Sequence, residues 1–315
     1  MTDPATTGTS SPRSLLEVDD LDAEEFARIL DLSERDDLPK LLEGRGAALL
    51  FEKPSARTRS SMEMAVVQLG GHPITLRNEE IGIDTRETAE DLGRLLSGYT
   101  AVIGARVFEH HKVERLAAAA TVPVVNLLSD DAHPVQALAD LLTVRQEFGR
   151  LAGLVVTYVG DANNVARSLG VACGLMGIEF RVSNPPGYDF DEGSVSMLRA
   201  AGCDVVLEPD PVAAVTGADV VYTDAWYSMG QEDEQRIRVE AFGPWRVDEA
   251  LMAHAAPDAI FLHCLPAHRN DEATDEVLDG PQSRIWPQAY NRMHTARGLT
   301  HWLLTDGLAD GGATS

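Results

Sequence analysis

Basic residues, and lysine above all, are scarce in this 315-residue chain: only Lys40, Lys53 and Lys112 occur, and Lys plus Arg total 26 against 50 Asp plus Glu. A formal net charge of -24 leaves no broad basic face. That excludes binding to nucleic acid by counterion release and adsorption to anionic membranes. Cysteine is sparse too. Cys173, Cys203 and Cys264 are too few and too scattered for a disulfide framework or a thiolate zinc site. The adjacent His110 and His111 cannot share one helical face, so the expectation is no metal. No apolar run approaches the roughly 18 to 20 residues that cross a bilayer. The polar start, Met1 to Ser11, lacks the basic and apolar regions of a signal peptide. The expectation is a cytoplasmic protein whose residues 1–13 form a disordered polar tail.

The acidity admits two readings. In a high-salt cytoplasm an acidic surface stays hydrated while salt screens its self-repulsion. A genome favouring arginine codons explains the shortage of lysine but not the excess of acid.

The length suggests two domains, each able to bury a sizeable core. Asp22-Ala-Glu-Glu25 has the form of a helix cap, and Phe26, Ile29 and Leu30 supply an apolar face behind it. Strands and helices then alternate. Strands are expected at 47–51, 73–76, 101–107 and 123–128, and helices at 61–69, 87–99, 112–120 and 134–148. A second series begins at Leu154 and continues through strands near 179–183, 204–207, 219–223 and 259–263. Such alternation predicts α/β architecture: two doubly wound parallel-sheet domains, 14–148 and 149–289, with the active site in the cleft between them. A last helix, about Tyr290–Leu308 within 290–315, has no strand after it and is expected to pack back on the first domain.

The most informative stretch is Phe51-Glu-Lys-Pro-Ser-Ala-Arg-Thr-Arg-Ser60, which follows a buried-strand pattern and leads into a helix. Ser55, Thr58 and the free N–H groups of the first helical turn, with Arg57 and Arg59 adding charge, would make an anion site suited to phosphate. The blander reading is that Ser55 only caps the helix. Other polar clusters occupy the same topological position, beyond strand ends: Arg106, His133-Pro-Val-Gln136, Gly160-Asp-Ala-Asn-Asn164, Asp224-Ala-Trp-Tyr-Ser-Met-Gly230 and His263-Cys-Leu-Pro266. His133 and Gln136 also fit a capping box, Asn163 and Asn164 a helix cap, and Cys264 an inert core thiol. Gly160–Asn164 lacks the G-x-G-x-x-G of a dinucleotide site, which weakens an NAD-dependent oxidoreductase reading.

Taken together these clusters resemble the ornithine branch of the aspartate/ornithine carbamoyltransferase family, over about residues 13 to 306. Ser55-Ala-Arg-Thr-Arg59 and His133-Pro-Val-Gln136 are shared by carbamoyltransferases generally. The Asp-x-x-x-Ser-Met-Gly loop and the His-Cys-Leu-Pro segment point to the ornithine branch. The resemblance implies transfer of the carbamoyl group of carbamoyl phosphate to the δ-amine of L-ornithine, giving citrulline and phosphate. It also implies a homotrimer or an assembly of trimers, with no metal and no organic cofactor. By position Ser55, Ala56, Arg57 and Thr58 would hold the phosphate, with Arg106, His133, Gln136, Cys264 and Leu265 around the carbamoyl group and Arg292 closing the site. Ornithine would be held by Asn164, Asp224, Ser228 and Met229, and Cys264 would meet its side-chain amine. The catalytic set so implied is Cys264, Arg106, His133 and Thr58. Ala56 stands where the family has Thr, which removes a hydroxyl but leaves the backbone N–H. Glu79 and Glu80 stand where relatives offer a polar group to the phosphate, and no contact is assigned there.

Overall fold

The computed structural model describes residues 12–227 and 234–306. β1 (Gly46–Phe51), β2 (His72–Arg77), β3 (Val102–Arg106) and β4 (Val124–Leu128) form one sheet in the order β2-β1-β3-β4, every pairing parallel. β5 (Val155–Val159), β6 (Glu179–Ser183), β7 (Val206–Leu207), β8 (Val220–Thr223) and β9 (Ile260–His263) form a second, also parallel, ordered β7-β6-β5-β8-β9. Helices cover both faces, so β1, β3 and β9 are buried almost throughout and read as unbroken apolar runs rather than alternating ones.

Each sheet starts in its middle. β1 is flanked by β2 and β3, and β5 by β6 and β8, so the chain reverses direction across the sheet beside each first strand. Loops leaving the two neighbouring strands splay apart there, which opens a crevice at their carboxyl ends. Gly160, at the end of β5, has φ 147°, and a Cβ on it would stand 3.4 Å from Thr223 Oγ1 on β8. The space admits a Cβ; it is the backbone conformation, rarely adopted by residues with a side chain, that calls for glycine here.

The helix Ala23–Ser33 begins as its sequence implies: Asp22 accepts from Glu25 N–H at 2.8 Å, and the Glu25 carboxylate accepts from Asp22 N–H at 3.0 Å. Phe26, Ile29 and Leu30 are wholly buried, each removing about 1.5 to 3 kcal/mol of apolar surface from water. Three expected elements shift. The helix read at 61–69 starts at Ala56, because Ser55 supplies the cap; the strand read at 204–207 is reduced to Val206–Leu207; and the last helix runs Ile285–Leu303 rather than 290–308. Pro287 falls in the first turn of that helix, where a missing N–H costs nothing.

This last helix crosses from the second sheet to the first half of the molecule. Asn291 donates to Thr143 Oγ1 at 2.9 Å and Arg297 to Gln68 Oε1 at 3.0 Å. At Gly298 an added Cβ would lie 2.3 Å from Ser33 Oγ and 2.8 Å from Ser33 N, so only glycine permits this helix to touch Ala23–Ser33 so closely. Among the described residues no helix is long and apolar enough to cross a membrane.

Candidate active site

The carboxyl ends of both sheets face a cavity of about 690 Å³. One wall comes from the first half: Ser55, Ala56, Arg57 and Thr58 after β1, Arg106 at the end of β3, and His133 and Gln136 after β4. The other comes from the second: Asp161, Asn163 and Asn164 after β5, Asp224 and Tyr227 after β8, and Cys264, Leu265 and His268 after β9. Arg292, from the helix Ile285–Leu303, completes the first wall. The site residues expected from the sequence meet here, except Arg59, which faces elsewhere, and Ser228 and Met229, which lie outside the described residues.

Ser55 is the N-cap of the helix Ala56–Gln68, its Oγ accepting from Thr58 N–H at 3.3 Å, and it also lines the cavity. Capping and anion binding are thus compatible uses of one loop: the helix N-terminus points its free N–H groups and positive dipole end at the crevice. Arg57 points the same way. Arg59 does not; its Nε donates to Glu63 Oε1 at 2.7 Å, and it lines a separate hollow with Thr75, Arg77 and Glu79. The expectation that Arg59 adds charge to the anion site is therefore corrected. Two residues along a helix turn the side chain by about 200°, so Arg57 and Arg59 diverge. Lys53 reaches the rim, where Asp130 holds it at 2.6 Å.

The first wall concentrates positive charge without matching negative charge. Arg106 is 9% exposed, its Nη1 lying 3.5 Å from Thr58 Oγ1 and its Nε without a partner. Arg292 is 5% exposed; it donates to Gln136 Oε1 at 2.5 Å and to Thr58 Oγ1 at 3.3 Å, and its Nε is unpartnered. Among the described residues no carboxylate forms an ion pair with Arg57, Arg106 or Arg292. Burial brings Arg106 down to about 10, with Arg292 and Arg57 adding to the shift, and burial brings Arg292 to about 10 as well. His133, buried among these three cations, is held well below its ordinary value, first by desolvation and then by the arginines. It is a neutral imidazole whose Nδ1 has no partner. Of the two readings of this pair, capping is the one not found: His133 occupies the N-cap position but makes no side-chain capping hydrogen bond and lines the cleft, and Gln136 is bound to Asp140 and Arg292.

The second wall is acidic and amidic. Asp224 accepts from Cys264 Sγ–H at 2.8 Å, from Ala225 N–H at 2.7 Å and from Asn163 Nδ2 at 3.1 Å. Burial, reinforced by Asp224, pushes the Cys264 thiol well above its ordinary value, so it is protonated and donates. Asn163 caps the helix Asn164–Leu175 through Oδ1, while Asn164 Nδ2 donates to Ser129 O at 2.6 Å across the cleft floor. Leu265 has φ 60°, a costly conformation for a leucine, and its N–H donates to His263 Nδ1 at 2.8 Å. Nε2 of His263 therefore carries the hydrogen and faces the buried Glu272 carboxylate at 3.1 Å. That pair braces the segment carrying Cys264. Asp224, His263 and Cys264 place three potential metal-ligand atoms within 4.8 Å of one another, but both nitrogens of His263 and the thiol are already engaged.

Asp161, Asn163, Tyr227 and His268 also line the cavity, and the sequence reading gave none of them a binding role. Asp161, Asn163 and Tyr227 lie inside motifs it had singled out, so position beyond a strand end was the available signal. His268 had none: its ring stacks on Tyr227 at 4.1 Å through a loop whose path the sequence does not reveal.

Comparison with known proteins gives one answer. Residues 13–146 match the carbamoyl-P binding domain of aspartate/ornithine carbamoyltransferases, and residues 152–303 match the Asp/Orn binding domain. The chain is 46% identical to an ornithine carbamoyltransferase of a Parafrankia species over 93% of this chain and 96% of that one. It is 43% identical to the Bacillus subtilis ornithine carbamoyltransferase over 94% and 95%. The solved ornithine carbamoyltransferase of Pyrococcus furiosus superimposes with a TM-score of 0.88 at 44% identity, covering 92% of this chain and 96% of that one. With a cation-lined wall facing an acid- and thiol-bearing one across the cleft between two parallel sheets, the chain belongs to the aspartate/ornithine carbamoyltransferase family.

Proposed function

We propose that the protein transfers the carbamoyl group of carbamoyl phosphate to the δ-amine of L-ornithine, releasing L-citrulline and phosphate. The observation that carries this is the contrast between the walls. Three guanidiniums and a helix N-terminus without a counter-ion suit an anion, and a carboxylate beside a half-buried, protonated thiol suits an amine. In this reading Ser55, Arg57, Thr58 and the backbone at Ala56 hold the phosphate, and Arg106, His133 and Gln136 surround the carbamoyl group. Arg292 closes the site beside Thr58. Asn164 and Asp224 hold ornithine, with Ser228 and Met229, a few residues further along the sequence, assigned to it as well. Leu265 contributes at the carbamoyl end.

The δ-amine attacks the carbonyl carbon, and the C–O bond to phosphate then breaks. Negative charge develops on the carbonyl oxygen, where Thr58, Arg106 and the neutral His133 serve as preorganised donors. An amine with a pKa of roughly 10.4 must lose a proton first, at a cost of roughly 4 to 5 kcal/mol at pH 7. The three arginines oppose a charged ammonium in the cleft and so lower that cost. A thiol held protonated cannot accept the amine's proton. Cys264 therefore orients the amine beside Asp224; the ammonium's proton leaves to solvent before the attack, and the departing phosphate takes the further proton that the nitrogen sheds once it is bonded to the carbonyl carbon.

The same reading carries an assembly of three subunits, supported by the hollow around Arg59 and Arg77 beside the phosphate loop and by the exposed Met64, Val67 and Ile74 nearby. A cytoplasmic setting is supported by the three free thiols. Citrulline formation assayed with ornithine, putrescine and aspartate as acceptors tests the proposal. Ornithine is expected to be the preferred acceptor, and carbamoylation of aspartate in its place would overturn the reading.

A further inference from the structure

Asp140 sits one turn beyond Gln136 on the helix Pro134–Phe148, fully buried, and the chemistry above leaves it without a task. Its Oδ1 accepts from two glutamine amides, Gln136 Nε2 at 2.7 Å and Gln288 Nε2 at 2.7 Å. A glutamine amide has one donating end and one accepting end, so a carboxylate that holds the nitrogen dictates where the oxygen faces. For Gln136 the oxygen faces Arg292, which donates to it at 2.5 Å. For Gln288 it faces the end of β9, where it accepts from His263 N–H at 2.9 Å, one residue before Cys264. Gln288 Nε2 also lies 3.2 Å from the Tyr222 hydroxyl on β8. Flipping either amide would set oxygen against the carboxylate and nitrogen against an N–H donor, losing two hydrogen bonds and creating two repulsions.

The other carboxylate oxygen, Oδ2, is buried with no partner. Burial raises Asp140 to about 6, while the two amides, Arg292 and the Tyr222 hydroxyl oppose the rise. A buried carboxylate so incompletely satisfied is a poor device for stability, since an apolar or amide side chain of similar size would avoid the desolvation.

We infer that Asp140 is a positioning residue for carbamoyl transfer: as the shared acceptor of Gln136 and Gln288, it turns one amide toward Arg292 and the other toward the strand end that carries Cys264. The two walls of the cleft are thereby set in register by one carboxylate. The inference rests on the proposed function and deepens it.

The test uses the full chain at pH 8, where Asp140 is ionised. Wild-type citrulline formation is measured first, and its absence would count against the proposed function, not this inference. Asp140→Ala, Asp140→Asn and Gln288→Met are then compared for kcat and for affinity toward inorganic phosphate by calorimetry, with circular dichroism confirming the fold. Asp140→Ala frees both amides and is expected to lower kcat by about tenfold or more and to weaken phosphate by about fivefold. Asp140→Asn keeps an acceptor oxygen and should stay within about threefold of wild type in both. Gln288→Met releases only the β9 side and should lower kcat while leaving phosphate affinity intact. A folded Asp140→Ala with wild-type kcat and phosphate affinity overturns the inference, whatever its melting temperature. So does an Asp140→Asn as impaired as the alanine variant, because charge and not acceptor geometry would then be what matters. If Asp140→Ala does not fold, an unchanged kcat in Gln288→Met overturns it alone.

Discussion

The two walls of the cleft store opposite kinds of chemistry. In the first half Arg57, Arg106 and Arg292 crowd around a neutral His133 with no counter-ion among the described residues, and burial disfavours every charge there. In the second half Asp224 is satisfied by the Cys264 thiol, Asn163 and a backbone N–H. One wall is strained until an anion arrives; the other is already at rest. The difference teaches that phosphate binding relieves a stored repulsion, whereas acceptor binding must displace existing hydrogen bonds.

The hardest test of that contrast is removal of a cation. Arg57→Ala should lower kcat/KM for carbamoyl phosphate by roughly 10² to 10³, combining a lost charge-assisted hydrogen bond of about 1.5 to 3 kcal/mol with lost transition-state stabilisation. The same variant should melt higher than wild type in phosphate-free buffer, an advantage that saturating phosphate abolishes. Equal melting temperatures in both buffers would mean that the first wall is not strained.

On the second wall the effect should be smaller and confined to the acceptor. Asp224→Asn keeps an oxygen for Cys264 but loses the charge, so kcat/KM for ornithine should fall roughly 10- to 100-fold while phosphate affinity holds. The ratio of ornithine to putrescine use should narrow. An unchanged ratio in steady-state assays would remove Asp224 from acceptor choice.

Cys264→Ser retains a donor to Asp224, and kcat should stay within about tenfold of wild type. Because the thiol is held protonated, iodoacetamide should inactivate the wild-type enzyme slowly at pH 7.5; rapid, stoichiometric alkylation would show a thiolate instead.

The smallest effect concerns acid stability. His133 has its folded pKa lowered, so below about pH 6.5 the unfolded chain binds a proton that the folded site refuses. Stability from this group is therefore complete above about pH 6.5 and falls with pH beneath it, by up to about 1.4 kcal/mol per pH unit. Urea denaturation at pH 6.5 and 5.5 should show a steeper loss in wild type than in His133→Gln. Identical slopes would mean that His133 is not buried among cations.

Much of this site is legible in the sequence. Ser55, Thr58, Asn164, Asp224 and Cys264 each follow a strand pattern, and a parallel sheet exposes its ligand-binding loops at that end. What failed, failed for physical reasons. His133 and Gln136 match a capping box in spacing, but a tertiary demand from Arg292 and Asp140 outcompeted the local one. Arg59 sits beside Arg57 in sequence yet about 200° away around the helix. Arg292 came from resemblance alone, since 155 residues of chain separate it from Gln136 and no local pattern marks it.

The sequence by itself determined the alternating strands and helices, the caps at Asp22 and Ser55 and the polar loops at strand ends, because apolar periodicity and capping depend on residues a few positions apart. The tertiary structure alone decided which cations go unpaired, that His133 is neutral and Cys264 protonated, and that Asp140 reaches both walls. Those properties follow from burial and from distances between residues far apart in the chain, which no local pattern encodes.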